Sequence, residues 1–237
     1  WPAVLESVFV SLAGIIDTFM VSSMGTYAVA ATGLIIQPKF LSLSFFFAIN
    51  VAVSALVARR LGQNNRRNAN QVLVTALMMI VLLCVVLTIV TVIFANPFIA
   101  ICGSNADTHE GAVIYFRVIQ VGMIFNVLSL VINAAQRGAG NTKIAMITNV
   151  TSSIVNIIFN YLLIDGNFGF PKWGLFGAAF ATVLGTVFAC AMSVHSLFQK
   201  DSYVSISYIL EEKIRPDFGS FHAIQKLGAN ILFENWA

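Results

Sequence analysis

Asp17, inside the apolar run Val8–Val21, is the residue whose type and setting most directly imply chemistry. An ionised side chain in hydrocarbon costs roughly 2.5–3.5 kcal/mol on insertion scales, so it persists mainly where a bundle interior or a wet cavity receives it. What a sequestered carboxylate can do is hold a cation or a proton, and Asp17 is the first candidate for that role. Glu6 lies eleven residues earlier, about three helical turns, so both carboxylates share a face. Its place near the start of the run suits simple contact with lipid headgroups.

A second pattern is made of neutral oxygens. Asn149, Ser153, Asn156 and Asn160 fall at i, i+4, i+7 and i+11, a narrow polar seam on an otherwise apolar helix. Amides can hold membrane helices together by hydrogen bonds, or offer carbonyl oxygens to a hard cation such as Na⁺. For Asn156 and Asn160 both readings stand; Asn149 and Ser153 read as glue. Asn126 and Asn133 sit two turns apart, flanked by Gln120 and Gln136, and Thr182 with Thr186 one turn apart. Thr182 can add a hydroxyl to an ion site, while Gly174, Gly177 and Gly185 suit close helix approach. Gln37, Asn126, Asn133 and Ser153 are candidate cavity-lining residues. Pro38 removes a backbone donor and should kink its helix. Lys39, Arg117 and His195 read as interface or pairing residues.

No nucleophile or acid–base constellation accompanies these groups. There is no HExxH, no GxSxG and no phosphate loop with a Lys, which argues against an enzyme. Cys84, Cys102 and Cys190 are odd in number and suggest neither a disulfide framework nor a metal site. No cofactor is expected beyond a coupling ion, Na⁺ or H⁺.

The elements that must position these residues are membrane spans. The 237 residues are 58% hydrophobic and 10% charged, with mean hydropathy +0.87. Soluble domains carry about a quarter charged residues. A spanning helix needs about 20 mostly apolar residues, and six candidates occur at 2–22, 28–58, 70–95, 111–136, 144–164 and 174–199. Residues 1–199 thus read as an all-α, six-helix lobe, 200–226 as a polar linker, and 227–237 as the start of a further lobe. The start at Trp1, without Met or a charged leader, reads as truncated.

Charge placement orients the spans. Arg59, Arg60, Arg66, Arg67, Arg137, Lys143, Lys200, Lys213, Arg215 and Lys226 all fall on one side, against Lys172 on the other. By the positive-inside rule both ends of the chain are cytoplasmic in a multi-pass protein of the cell membrane. The cluster Arg59–Arg67 is a topology signal and an anionic-lipid contact; nucleic acid is excluded as a partner by the absence of any basic groove. Most of the 20 Phe residues are expected to face lipid or pack.

The chain also echoes itself. Ala3-Val4-Leu5-Glu6-Ser7 overlays Ile231-Leu232-Phe233-Glu234-Asn235, and secondary transporters are built from repeats with a site between them.

Longer stretches carry a family resemblance. They are Ile16-Asp17-Thr18-Phe19-Met20-Val21, then Ser54-Ala55-Leu56-Val57-Ala58-Arg59 into Leu61-Gly62, and Gln136-Arg137-Gly138-Ala139-Gly140-Asn141-Thr142-Lys143. Next come Asn156 to Ile164 leading to Gly169-Phe170-Pro171, and Gly177-Ala178-Ala179-Phe180-Ala181-Thr182. In this order the chain resembles the amino-terminal half of a multidrug and toxic compound extrusion (MATE) transporter. The resemblance implies one six-helix lobe of a twelve-helix, two-lobe antiporter that exports organic cations or drugs against inward Na⁺ or H⁺. It implies Asp17 as the coupling carboxylate, and Asn156 and Thr182 as contributors to its cation site. At Asn160 many relatives carry Asp, so a site built on paired carboxylates is in question here. One carboxylate with neutral oxygens suits Na⁺ or a single proton. The nearest alternative is a lipid-linked oligosaccharide flippase of the same superfamily architecture; those line their cavity with several basic residues, whereas only Lys39 and Arg117 lie within spans here. The partners implied are cationic small molecules, membrane lipid and a second six-helix lobe.

Overall fold

In the computed structural model, residues 2–199 and 202–236 are described, with side chains for 4–199 and 202–230. Lys200, and the side chains of Ala3 and Ile231–Asn235 on which the internal echo rests, lie outside these. No strand occurs among the described residues. The helices are α1 (Pro2–Ser22), α2 (Thr26–Leu34), α3 (Ile36–Gly62), α4 (Arg66–Ile93), α5 (Ala95–Ile101), α6 (Ala106–Gly138), α7 (Thr142–Leu163), α8 (Gly174–Ser196), α9 (Ile206–Glu211) and α10 (Phe218–Trp236). Six segments are long and apolar enough to cross a membrane: Val4–Ser22, Thr26–Gly62, Arg66–Ile93, Ala106–Gly138, Thr142–Leu163 and Gly174–Ser196.

Local chemistry sets the boundaries. The Asn65 side chain caps α4 by accepting from the Asn68 backbone N–H at 3.1 Å, satisfying a donor that the first turn leaves open. Asn105 and Thr108 form a capping box at the start of α6. The second membrane segment is broken at Ile35, where ψ is −7°. Pro38 explains the break: without an N–H it cannot bond the Leu34 carbonyl, and the ring crowds that turn. Lys39 then resumes the ladder by donating to the Ile35 carbonyl at 2.9 Å.

Packing is inverted relative to a soluble bundle. Phe9, Phe19, Phe40, Phe45, Phe47 and Ile93 are exposed, as a lipid-facing surface allows, while Phe46 and Phe116 are buried. One apolar cluster joins α3, α4 and α6; the other joins α2, α5, α6 and α8 at the opposite end. α8 lies hard against α7. A Cβ on Gly177 would stand 2.6 Å from the Leu163 carbonyl oxygen, and one on Gly185 2.8 Å from that of Ser152. These glycines permit the close approach expected of small residues in membrane helices.

The stretch after α8 folds back onto the bundle. Arg66 donates to the carbonyls of Tyr203 at 3.0 Å and Ser202 at 2.8 Å and lies 4.4 Å from the centre of the Tyr208 ring. Asn70 accepts from the Ser205 N–H at 3.0 Å. α10 packs along α3 and α4, with Ile224 buried in the first cluster. Arg66 therefore anchors this connector besides contributing surface charge.

Candidate functional site

Two side-chain pairs fix α1 against α7. Asn160 Nδ2 donates to Asp17 Oδ1, and Asn149 Nδ2 donates to Glu6 Oε1 at 2.5 Å. Both pairs join residues 143 apart, so the helices run parallel and in register over about three turns. The seam of Asn149, Ser153, Asn156 and Asn160 lies along this junction and that with α8.

From Asp17 a chain of hydrogen bonds crosses three helices. Asn160 Nδ2 also reaches Asn156 Oδ1 at 3.4 Å, and Asn156 Nδ2 donates to Thr182 Oγ1 at 3.1 Å. Thr182 in turn donates to the Ala178 carbonyl at 3.0 Å within α8. The four residues singled out for a cation site are thus brought together. Asn160 is 0% exposed, yet its Oδ1 has no partner among the described residues. A buried carbonyl oxygen left unpaired is unfavourable by about 1–3 kcal/mol and is the type of atom a hard cation takes as ligand.

Beside this chain lies a cavity of about 190 Å³ lined by Asp17, Lys39, Tyr115, Asn156, Thr182 and Thr186, with Ser153 also on its wall. Thr186 connects it to a further cavity of about 220 Å³, bordered by Asn50, Asn126, Asn133, Arg137 and Asn149. Asn126 borders the second cavity and Ser153 the first. Asn133 borders one but is chiefly structural: it donates to Thr148 Oγ1 at 2.9 Å and accepts from Ser193 at 3.1 Å. Ser153 bonds back to the Asn149 carbonyl at 3.0 Å.

Two expectations differ from the structure, and one residue of the site was not anticipated. Gln37 is exposed and does not line the Asp17 cavity; Lys39 does. Two residues on a helix differ by about 200°, so the residue two further on faces the other way. Glu6 does not end in headgroups but forms an ion pair with Arg137 at 2.7 Å. Tyr115 escapes a search for polar seams. It is 8% exposed and lines the cavity beside Asp17 and Thr182. The signal was its register: 115, 119, 122 and 126 form one stripe of α6, continuing to Asn133.

In sequence and fold the chain is similar to known proteins. The chain is 31% identical over 187 residues to the probable multidrug resistance protein YoeA of Bacillus subtilis, covering 78% of this chain and 40% of that protein. It is 25% identical to the probable multidrug resistance protein NorM of Thermotoga maritima, covering 99% of this chain and 50% of that protein. Its fold superposes on a MOP-superfamily transporter from Pyrococcus furiosus with TM-score 0.88 at 27% identity, over 98% of this chain and 50% of that one. The chain spans about half the length of these relatives. With the MatE family profile matching residues 2–162 across the helices that carry Asp17, Asn156 and Asn160, this multi-pass membrane chain belongs to the MatE family.

Proposed function

We propose that this chain forms one lobe of a cation-coupled antiporter that exports organic cations, with Asp17 as the group that takes the coupling Na⁺ or H⁺. The observation that carries the reading is the Asp17 carboxylate bonded to Asn160, whose Oδ1 is buried without a partner, at the edge of a polar cavity. A cation there would meet a carboxylate oxygen and neutral oxygens of Asn160, Asn156 and Thr182, a donor set suited to a hard ion. The multidrug resistance names of YoeA and NorM support the substrate class.

In the mechanism, cation and cationic substrate occupy the lobe alternately. Inward movement of the ion through its binding at Asp17 then drives the substrate outward, because an ion can shift the equilibrium only by binding one state better than another. The turns at Gly62–Arg66 and Gly138–Thr142 face the cytoplasm in this reading, as the clustered Arg and Lys residues require. A second six-helix lobe supplies the other wall of the substrate path.

The test uses the intact two-lobe protein in cells, following ethidium accumulation with and without Na⁺ and across a pH gradient. Wild type lowers accumulation in a manner that depends on one of the two ions. Asp17→Asn loses that dependence while still inserting in the membrane. Full ion-driven efflux by Asp17→Asn would falsify the assignment.

A further inference from the structure

Lys39 is a charged side chain within a membrane segment, half-buried, on the wall of the same cavity as Asp17. It stands in the first turn of α3, just past the break at Ile35, and shares the cavity wall with Asp17 of α1 and Tyr115 of α6. Among the described residues it makes no ion pair within 4.0 Å, although it and Asp17 act on each other electrostatically. Asp17 bonds Asn160 through Oδ1; its Oδ2 has no hydrogen-bond partner among the described residues. A lysine head is a compact charge on a flexible four-carbon stem, able to move several ångströms without any change of backbone.

We infer that Lys39 is a tethered competitor for the Asp17 carboxylate, taking it when the coupling cation is absent and yielding it when the cation arrives. The inference rests on the reading of Asp17 as the coupling site. Charge arithmetic gives the reason. With Asp17 at −1 and Lys39 at +1, the empty site is neutral, so the lobe never holds an uncompensated carboxylate in apolar surroundings. With a monovalent cation bound, the sum is +1. Lys39 thereby weakens the grip on the cation and lets it leave. The same excess positive charge repels an organic cation while the ion is bound, which makes the two occupancies antagonistic. Without Lys39 the states would be −1 and 0, and the cation would be retained. The titratable groups that share this cavity with Lys39 are Asp17 of α1 and Tyr115 of α6.

The experiment uses the intact two-lobe protein in proteoliposomes, with ethidium as probe. Na⁺ is titrated at fixed pH, and pH at fixed Na⁺. In Lys39→Met the half-saturating concentration of the driving ion falls about tenfold, as removal of a nearby like charge requires, and the maximal rate falls because release slows. Lys39→Arg, which retains the like charge, stays much nearer the wild-type half-saturation than Lys39→Met. A merely structural lysine would lower the maximal rate and leave half-saturation unmoved. Should Lys39→Met fail to accumulate in the membrane, Lys39→Gln makes the same neutralisation. An unchanged half-saturation in the neutral variant, with wild type still ion-driven, overturns the competitor and leaves Asp17 standing. A wild type that ignores both ions removes both.

Discussion

The two ends of the α1–α7 seam use the same parts to opposite effect. At one end Glu6 accepts from Asn149, and at the other Asp17 accepts from Asn160, in a shared register. Glu6 also has Arg137 at 2.7 Å, with side-chain exposures of 38% for Arg137 and 16% for Glu6. Its charge is matched by a fixed guanidinium, so nothing else need bind. Asp17 has an amide instead, and its lysine stands off. An amide donor satisfies a lone pair but supplies no full charge. On the proposed reading, a clamp and an exchange site differ by a single compensating cation: built in at Glu6, exchangeable at Asp17.

Substitutions at the two ends put this contrast to the test. The largest effect is expected for Asp17→Asn, which should abolish ion-dependent ethidium efflux outright. Next comes the tenfold shift of half-saturation in Lys39→Met described above. Asn160→Leu removes both the donor to Asp17 and the orphan carbonyl; losing hydrogen bonds to a charged group amounts to about 1.5–3 kcal/mol, so the half-saturating ion concentration should rise by about tenfold or more. Gly185→Val forces α8 off α7 at the Ser152 carbonyl. Overpacking of this kind destabilises by about 1–3 kcal/mol, readable as a lower unfolding temperature in detergent together with reduced efflux. The smallest effect belongs to Glu6→Gln. It keeps a bond to Asn149 and loses an ion pair whose arginine is more than a third exposed, about 1 kcal/mol or less. Its ion dependence should match wild type. Equal loss of coupling in Glu6→Gln and Asp17→Asn would erase the distinction between the two ends.

Much of the site was legible because helical periodicity fixes which residues of one helix share a face. The Asn149–Asn160 seam and the Glu6–Asp17 face are such cases, and each meets the other across the α1–α7 contact. What failed was inference across helices. Glu6 near a helix end invited a solvated reading, yet its partner Arg137 lies 131 residues away in sequence. Gln37 and Lys39 are near neighbours in the chain, and only the packed structure shows that Lys39, not Gln37, lines the Asp17 cavity. Tyr115 carries one hydroxyl on a large apolar ring, so a composition search files it with packing residues. Arg66 reads as one positive charge among several, but the carbonyls it holds come from a segment more than a hundred residues on.

A polytopic helical membrane chain with a carboxylate at position 17 inside its first span is legible from the residues alone, because hydrocarbon imposes length, apolarity and the expense of charge on every span regardless of how spans pack. Which polar groups meet that carboxylate depends on how the helices pack. Asn160, Asn156, Thr182, Tyr115 and Lys39 come from four helices, and their convergence depends on a proline-set break and on glycine contacts that no single helix contains.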